Sequence, residues 1–359
     1  MPKPPPPKVL ALIQGARDGM RSLERKLVPP PFALLDFVTD LWSFQIVYAL
    51  AEIEVPEALA SGPRAAAEVA RERNVNEDCL YRLLRAATNL DLVRELPGRR
   101  FELRPLGEAL VQREGESFRD FIVMMGRMGW RFWGRLGDAV RQGKSAIEVE
   151  TGRKPFDFLL NDEASAHVFN RAMTAVSAVT ADAVTAAYDV SGFRKIVDIG
   201  GGHGRLLSAL LKNAPGARGV LFDMPSVVEG APKMLDQYGV RDRVEIVGGD
   251  FFDKVPPDGD LYVMKAIIHD WQDDDARKIL ENVRRAMARG GKVALVECVV
   301  TGPNEKHFAK LLDIEMIVHA GGRERTRDEY AELFVKAGLR LTRVVPCAGP
   351  ASVVEAEAS

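Results

Sequence analysis

The chain has 359 residues, more than one compact domain usually holds; at roughly 150 residues per domain, two or three are expected. Its 47% hydrophobic content supplies ample core, which excludes disorder as the main theme. With 49 basic and 51 acidic residues the net charge is −2, so no global basic field gathers nucleic acid or anionic lipid.

Cys79, Cys298 and Cys347 lie far apart without CxxC spacing. That pattern offers neither a disulfide framework nor a structural zinc site, and it fits a reducing cytoplasm. The opening MPKPPPPKVLALI holds an apolar run shorter than a signal-peptide core. No window shows the roughly 18 apolar residues of a membrane span. A soluble cytoplasmic protein is therefore expected.

Residues 1–31 begin and end in proline, at Pro2, Pro4 to Pro7 and Pro29 to Pro31. The intervening VLALIQGARDGMRSLERKL has weak helical periodicity, so this Pro-rich arm reads either as a mobile segment with a marginal helix or as an arm folded onto a partner subunit.

Residues 32–107 are helical and then briefly extended. Apolar residues from Leu34 to Leu59 recur at helical spacing, Ser61-Gly62-Pro63 breaks the run, and a short helix follows from Ala65 to Arg71. Asn74-Val75-Asn76 caps a second helix whose apolar face is Leu80, Leu83, Leu84 and Ala87. LVREL and RFELR, joined by Pro97-Gly98, then read as a hairpin. Helix, turn, helix and hairpin make a winged helix, a module that often binds DNA. Here Glu77 and Asp78 sit at the leading end of the would-be recognition helix, against Arg82 and Arg85. That charge suits subunit packing or covering a substrate better than phosphate binding.

Residues 108–190 look helical and read as a linker that lines a substrate. FIVMMGRMGWRFW concentrates Met124, Met125, Met128, Trp130, Phe132 and Trp133, and PFDFLL follows at 155–160. Such clusters are ordinary core, or a surface suited to a flat apolar ligand.

From 191 to 359 strands and helices alternate: KIVDIG, GVLFDM, VEIVGGD, LYVMKAII and KVALVECVV are separated by helices near 204–213, 226–238 and 274–288. A helix at 328–337 leads into LRLTRVV and ASVVEAE, a closing hairpin. The expected fold class is α/β: a doubly wound, Rossmann-like sheet ending in an antiparallel hairpin.

In such a sheet ligands gather at the carboxyl ends of the strands. The first end carries Gly200, Gly202 and Gly204 in a GxGxG rhythm, but Arg205 stands where a dinucleotide fingerprint needs its third glycine. Asp223 ends the second strand, placed to accept from a ribose diol. Asp250 and Phe251 end the third, a carboxylate for an adenine amino group beside a ring for stacking. Without a P-loop lysine, these features favour a nucleoside lacking phosphates, S-adenosylmethionine.

The fourth strand leads to His269, whose imidazole could take a hydroxyl proton as the oxygen attacks an electrophilic methyl. Glu297, inside an apolar strand, and Glu324, in GGRERT, could orient that ring, or could be buried partners of an arginine. No carboxylate cluster of metal-binding kind accompanies the base, so no metal is expected.

VDIGGGHGRL, FDMP, GGDFF, MKAIIHDW, VALVEC and GGRERT, in this order behind a winged helix, resemble the small-molecule O-methyltransferases of the caffeic acid and hydroxyindole type, including their bacterial natural-product branch. The resemblance runs from about Leu34 to Val354. It implies that Gly200, Asp223, Asp250, Phe251 and Lys265 bind the cofactor, joined by Ser177, and that His269 is the base flanked by Glu297 and Glu324. FNRAM and DIEMIVHA match substrate-lining segments and nominate Phe169, Met173, Met316 and His319. It also implies a homodimer formed through the winged-helix domain, with no nucleic acid or membrane partner. Two features depart from the pattern: the long Pro-rich arm, and His203 inside the glycine loop.

The expected activity is methyl transfer to a hydroxyl, phenolic in type, of a small aromatic natural product. Two alternatives stand beside it: a methyltransferase-like enzyme performing hydroxylation, decarboxylation or pericyclic chemistry, and a winged-helix regulator with a ligand-sensing domain.

Overall fold

The computed structural model describes residues 7–112, 117–160 and 162–359. Two compact units emerge, one of Gln14–Trp130 with His167–Val176, the other of Met1–Ile13, Arg131–Ala166 and Ser177–Ser359.

Within the arm, α1 (Pro7–Leu27) is a full helix. Val28 and Pro29 separate it from α2 (Pro30–Glu52), which starts with proline in its first turn, where a missing amide costs nothing. The stretch of helical spacing from Leu34 to Leu59 is divided between two helices, because Glu54 adopts φ 56° and Pro56 lies in the first turn of α3 (Val55–Leu59). α4 (Ala66–Arg73) and α5 (Glu77–Thr88) follow, and the Asn76 side chain accepts from the Cys79 amide as anticipated. β2 (Val93–Leu96) and β3 (Arg100–Leu103) form the hairpin, and β1 (Arg64–Ala65) adds a third strand in the order β1-β3-β2. Leu59, Val69, Leu80, Leu84 and Phe101 close the core of this winged helix.

One expectation is corrected. By length and composition α2 is apolar enough to cross a membrane. Scanning for an unbroken apolar run misses it because Asp36, Thr39 and Asp40 interrupt the run without offsetting its mean hydropathy. The last turns of α2 pack into the winged-helix core through Ile46, Val47, Leu50 and Ala51.

The methionine-rich segment contains a π-helical turn at Met125–Gly129, where Gly126 lies against the Tyr48 ring so closely that a Cβ would sit 2.1 Å from it. Met124 and Met128 are buried, as ordinary core.

The larger unit is built on a seven-stranded sheet of β4 (Lys195–Ile199), β5 (Arg218–Asp223), β6 (Val244–Gly248), β7 (Gly259–Lys265), β8 (Met287–Glu297), β9 (Leu339–Pro346) and β10 (Ser352–Ala358). Their order is β6-β5-β4-β7-β8-β10-β9; the first five are parallel and β10 runs antiparallel to both its neighbours. Alternate side chains serve opposite faces. Ile196, Leu221 and Val263 pack on one side with Leu207 and Leu210, while Val197, Val220 and Tyr262 pack on the other with Ile279 and Leu280. The helix expected at 226–238 is two, Pro225–Val228 and Ala231–Gln237, broken at Glu229-Gly230. Strand order reverses between β4 and β7, so a crevice opens at their carboxyl ends.

Glu355 on β10 is 1% exposed yet fully used. It accepts from the Tyr188 hydroxyl, Lys292, Thr342 and Arg343 at 2.7 to 2.9 Å. Burial would raise this carboxyl, but Arg343, Lys292, Thr342 and Tyr188 hold it down to about 2. A carboxylate depressed in the folded state adds stability that is complete above its unfolded value and is lost as pH falls through the folded one. Glu355→Ala should cost about 3 kcal/mol in urea denaturation at neutral pH. The gap to the parent should close on acidification from about pH 4.5 towards 2.

Candidate active site

β4 delivers its chain into a glycine loop whose backbone only glycine adopts readily. Gly200, Gly202 and Gly204 have φ of 65°, 59° and 83°. A Cβ on Gly200 would meet Ile267 Cδ1 at 2.3 Å, whereas one on Gly202 would meet nothing within 4 Å. The loop is thus packed at its base and open at Gly202, where a ligand can reach the backbone. Asp223, at the end of β5, accepts from the Gly202 amide at 2.8 Å and from the Met224 amide at 2.7 Å. Burial pushes its carboxyl up, and those amides work against it.

Asp198, two residues before the loop, is 1% exposed, and its Oδ2 has no hydrogen-bond partner among the described residues. Burial pushes this carboxyl up to about 7, opposed by the charge of Lys265 and reinforced by Asp223. Lys265 ends β7, half-buried. Its amine is pushed down by burial and held up by Asp198, Glu297 and Asp270. An orphaned buried oxygen near an ammonium, beside an open glycine backbone, fits a ligand with both an amino and a carboxylate group.

Asp250 is exposed and accepts from the Phe252 amide at 2.8 Å, shaping the turn after β6. Phe251 and Phe252 pack edge-on against Trp271, which stacks on Phe156 at 4.8 Å. The ring nominated for stacking therefore belongs to a cluster that reaches the turn carrying His269.

That turn spans Ile268–Asp270 and follows Ala266, a non-glycine residue held at φ 52°. The strain is bounded by good bonds: Glu297 Oε1, at the end of β8, accepts from the Ile267 and Ile268 amides at 3.3 and 3.0 Å. His269 is 7% exposed. Its Nδ1 lies 2.6 Å from Glu324 Oε1 and 3.6 Å from Glu297 Oε2, and its Nε2 lies 3.5 Å from Asp270 Oδ1. Neither glutamate pairs with an arginine among the described residues; both face the imidazole. Burial alone would lower this imidazole, but Glu297, Asp270 and Glu324 together push it up to about 10. Burial raises Glu297 to about 7 against the pull of His269, and Asp270 to about 6.

The GGRERT segment clasps the turn. The Arg323 amide donates to the His269 carbonyl at 2.8 Å, and a Cβ on Gly322 would sit 2.0 Å from that carbonyl oxygen. Arg325, 1% exposed, donates to the carbonyls of Ile268 and Trp271 at 3.1 and 2.9 Å and to Asp273 at 2.8 Å. Sequence reasoning nominated Glu324 from this motif and passed over Arg325, whose targets include backbone carbonyls that no side-chain pattern displays. Asp198 was passed over too, although its place just before the glycines was a usable signal.

Ser177 is half-buried on the long helix Glu163–Ala187 within the sheet-bearing unit, and Phe169 and Met173 are half-buried on the same helix within the smaller one. Met316 is buried and His319 half-buried on and just after the helix Ala309–Val318. His319 Nδ1 lies 2.7 Å from Glu315 Oε1, Trp133 Nε1 donates to Glu315 Oε2 at 2.6 Å, and the Phe132 ring meets His319 edge-on.

Residues 133–340 match the O-methyltransferase domain, and residues 35–113 match the O-methyltransferase dimerisation domain. The chain belongs to the O-methyltransferase family. Phenazine O-methyltransferase PhzM of Lysobacter antibioticus is 39% identical over 92% of this chain and 96% of its own length. The crystal structure of LaPhzM superposes with a TM-score of 0.89 at 38% identity, covering 92% of this chain and 100% of that one. Human N-acetylserotonin methyltransferase in complex with S-adenosylmethionine gives 0.84 at 27%, covering 92% and 99%. The enzyme is therefore an S-adenosylmethionine-dependent O-methyltransferase with a Rossmann-like catalytic sheet behind a dimerisation domain.

Arg325→Met would strand the carbonyls of Ile268, Trp271 and Arg323, together with Asp273. It should destabilise the enzyme by about 3 kcal/mol, read by chemical denaturation. Loss of less than about 0.5 kcal/mol, the range of an ordinary surface change, would show that the clasp holds nothing.

Proposed function

We propose that this enzyme methylates a phenolic hydroxyl on a small, flat aromatic compound, with His269 as general base and with Glu297 and Glu324 as its supports. The observation that carries this reading is a buried imidazole just beyond β7 whose Nδ1 is engaged by Glu324 while Nε2, 3.5 Å from Asp270 Oδ1, is left for the hydroxyl proton under this proposal.

The cofactor would be held by the glycine loop at Gly200 and Gly202, by Asp223 and Asp250 on polar edges, by Phe251 against a ring, and by Ser177 on the long helix. Asp198 and Lys265 suit the ammonium and carboxylate of an amino-acid end. S-adenosylmethionine, when bound, supplies an electrophilic methyl group on a sulfonium.

His269 takes the hydroxyl proton on Nε2, and Glu324 and Glu297 stabilise the imidazolium that results. A base whose conjugate acid lies near 10 is matched to a phenol of pKa about 10, so the proton moves at little cost. Met316 and His319 would line the acceptor's pocket. Support comes from the named acceptors of relatives, a phenazine and an N-acetylserotonin, both fused aromatic rings.

Contrary to the expectation from sequence, His269 does sit in a cluster that could hold a metal ion, with Glu297 and Glu324 offering ligand atoms within 4.8 Å of one another; the proposed reaction uses the imidazole as a base without a cation. Two atoms sharing a metal at about 2.1 Å each would stand roughly 3 Å or more apart, and the 2.6 Å between His269 Nδ1 and Glu324 Oε1 is a direct hydrogen bond. The protein would act as a homodimer through its dimerisation domain, in a reducing cytoplasm that keeps Cys79, Cys298 and Cys347 free.

His269→Ala should lower kcat by about a hundredfold and leave the affinity for S-adenosylhomocysteine, measured calorimetrically, within a few-fold; unchanged turnover would sink the assignment. Because the base acts deprotonated and its proton affinity is raised, kcat/KM should climb between pH 7 and 10. A profile flat across that range would contradict a base of this strength.

A further inference from the structure

The arm carries a feature that catalysis leaves unused. Along α1, Val9, Ile13, Ala16, Met20, Leu23 and Leu27 alternate at intervals of four and three, the spacing of a coiled-coil seam. All six are exposed; the five larger side chains are 44 to 74% exposed. In sequence the seven-residue spacing is kept past Val28-Pro29, where the helix itself is interrupted. Leu34 and Leu41, seven and fourteen residues beyond Leu27, continue it on the exposed half of α2.

Two further observations identify what covers this seam. It runs directly into residue 35, where the dimerisation domain begins, so it prolongs a surface already committed to self-association. Its flanking charges are also self-complementary. In an antiparallel pair that sets Met20 against Leu23 and Ala16 against Leu27 of a second copy, exposed Arg17 faces Glu24 and Glu24 faces Arg17.

We propose that α1 pairs antiparallel with α1 of a second copy, extending the dimer interface through the arm beyond the family's dimerisation domain. The inference rests on the homodimer reading above. A net positive helix with an apolar face can also lie on an anionic bilayer, and the test separates that case.

Sedimentation equilibrium on the full chain reads the dimer Kd for four proteins: the parent, Ile13→Asp/Met20→Asp, Arg17→Glu, and Arg17→Glu/Glu24→Arg. Two charges placed in the seam should weaken the dimer by about thirtyfold or more. Arg17→Glu, which sets like charges opposite each other twice, should weaken it by about fivefold. The double reversal should return it to within about twofold of the parent, a rescue that loss of helix cannot imitate.

A dimeric parent whose Kd the apolar double variant leaves unchanged overturns the inference and spares the homodimer reading. A parent that is monomeric overturns both. An unchanged Kd together with lost co-sedimentation on phosphatidylcholine/phosphatidylserine vesicles assigns the seam to a bilayer and also overturns the proposal.

Discussion

Burial of an ionisable histidine between two glutamates is the constraint on which the catalytic unit turns. An imidazole 7% exposed, with Glu297 and Glu324 both under 4% exposed around it, is costly unless each charge has a partner. The surrounding chain is arranged accordingly. Glu297 spends one oxygen on two backbone amides, and Glu324 spends one on the ring. Ala266 accepts a left-handed backbone so that those amides can converge on one carboxylate. Arg325 then fixes the far side of the turn through carbonyls, so His269 is held from β7, β8 and the loop after residue 319 at once.

The sheet topology explains why these parts meet. β4 and β7 are neighbours although β5 and β6 separate them in sequence, because the chain winds outward in one direction and returns to start the other. The glycine loop and the His269 turn therefore open on the same crevice. Lys265 occupies the junction: it is the last residue of β7, and Asp198 on one side and Glu297 and Asp270 on the other both act on its charge. The glycine loop and the His269 turn are thereby electrically joined through a single side chain.

Much of this was legible in the sequence, for a physical reason. Strand ends are short, apolar stretches followed by polar or glycine residues, so the sequence places Asp223, Asp250 and His269 at or just beyond the carboxyl ends of their strands. Glu297 stood out because a carboxylate inside VALVECVV contradicts its surroundings. What stayed hidden depends on tertiary contact. Arg325 acts on backbone atoms 54 to 57 residues away, and Ala266 gives no sign that it will adopt φ 52°. Hydrophobic periodicity located α1 and α2, but it cannot say whether an apolar face meets its own core, and in α2 the two halves differ in this respect.

Under the proposed reaction, the raised proton affinity of His269 also bears on what the enzyme could act upon. Carboxylates that push His269 up to about 10 make it a better proton acceptor and at the same time reduce its free fraction at neutral pH. That exchange is favourable only for an acceptor hydroxyl of comparable acidity. For a phenol the two proton affinities nearly cancel. For an aliphatic or water-like hydroxyl, with pKa near 16, the proton would have to move uphill to the imidazole. The buried acidic surround of His269 thus acts as a chemical filter under the proposed reaction. Under that proposal, the proton affinity of the imidazole would select which hydroxyl of an aromatic acceptor can react.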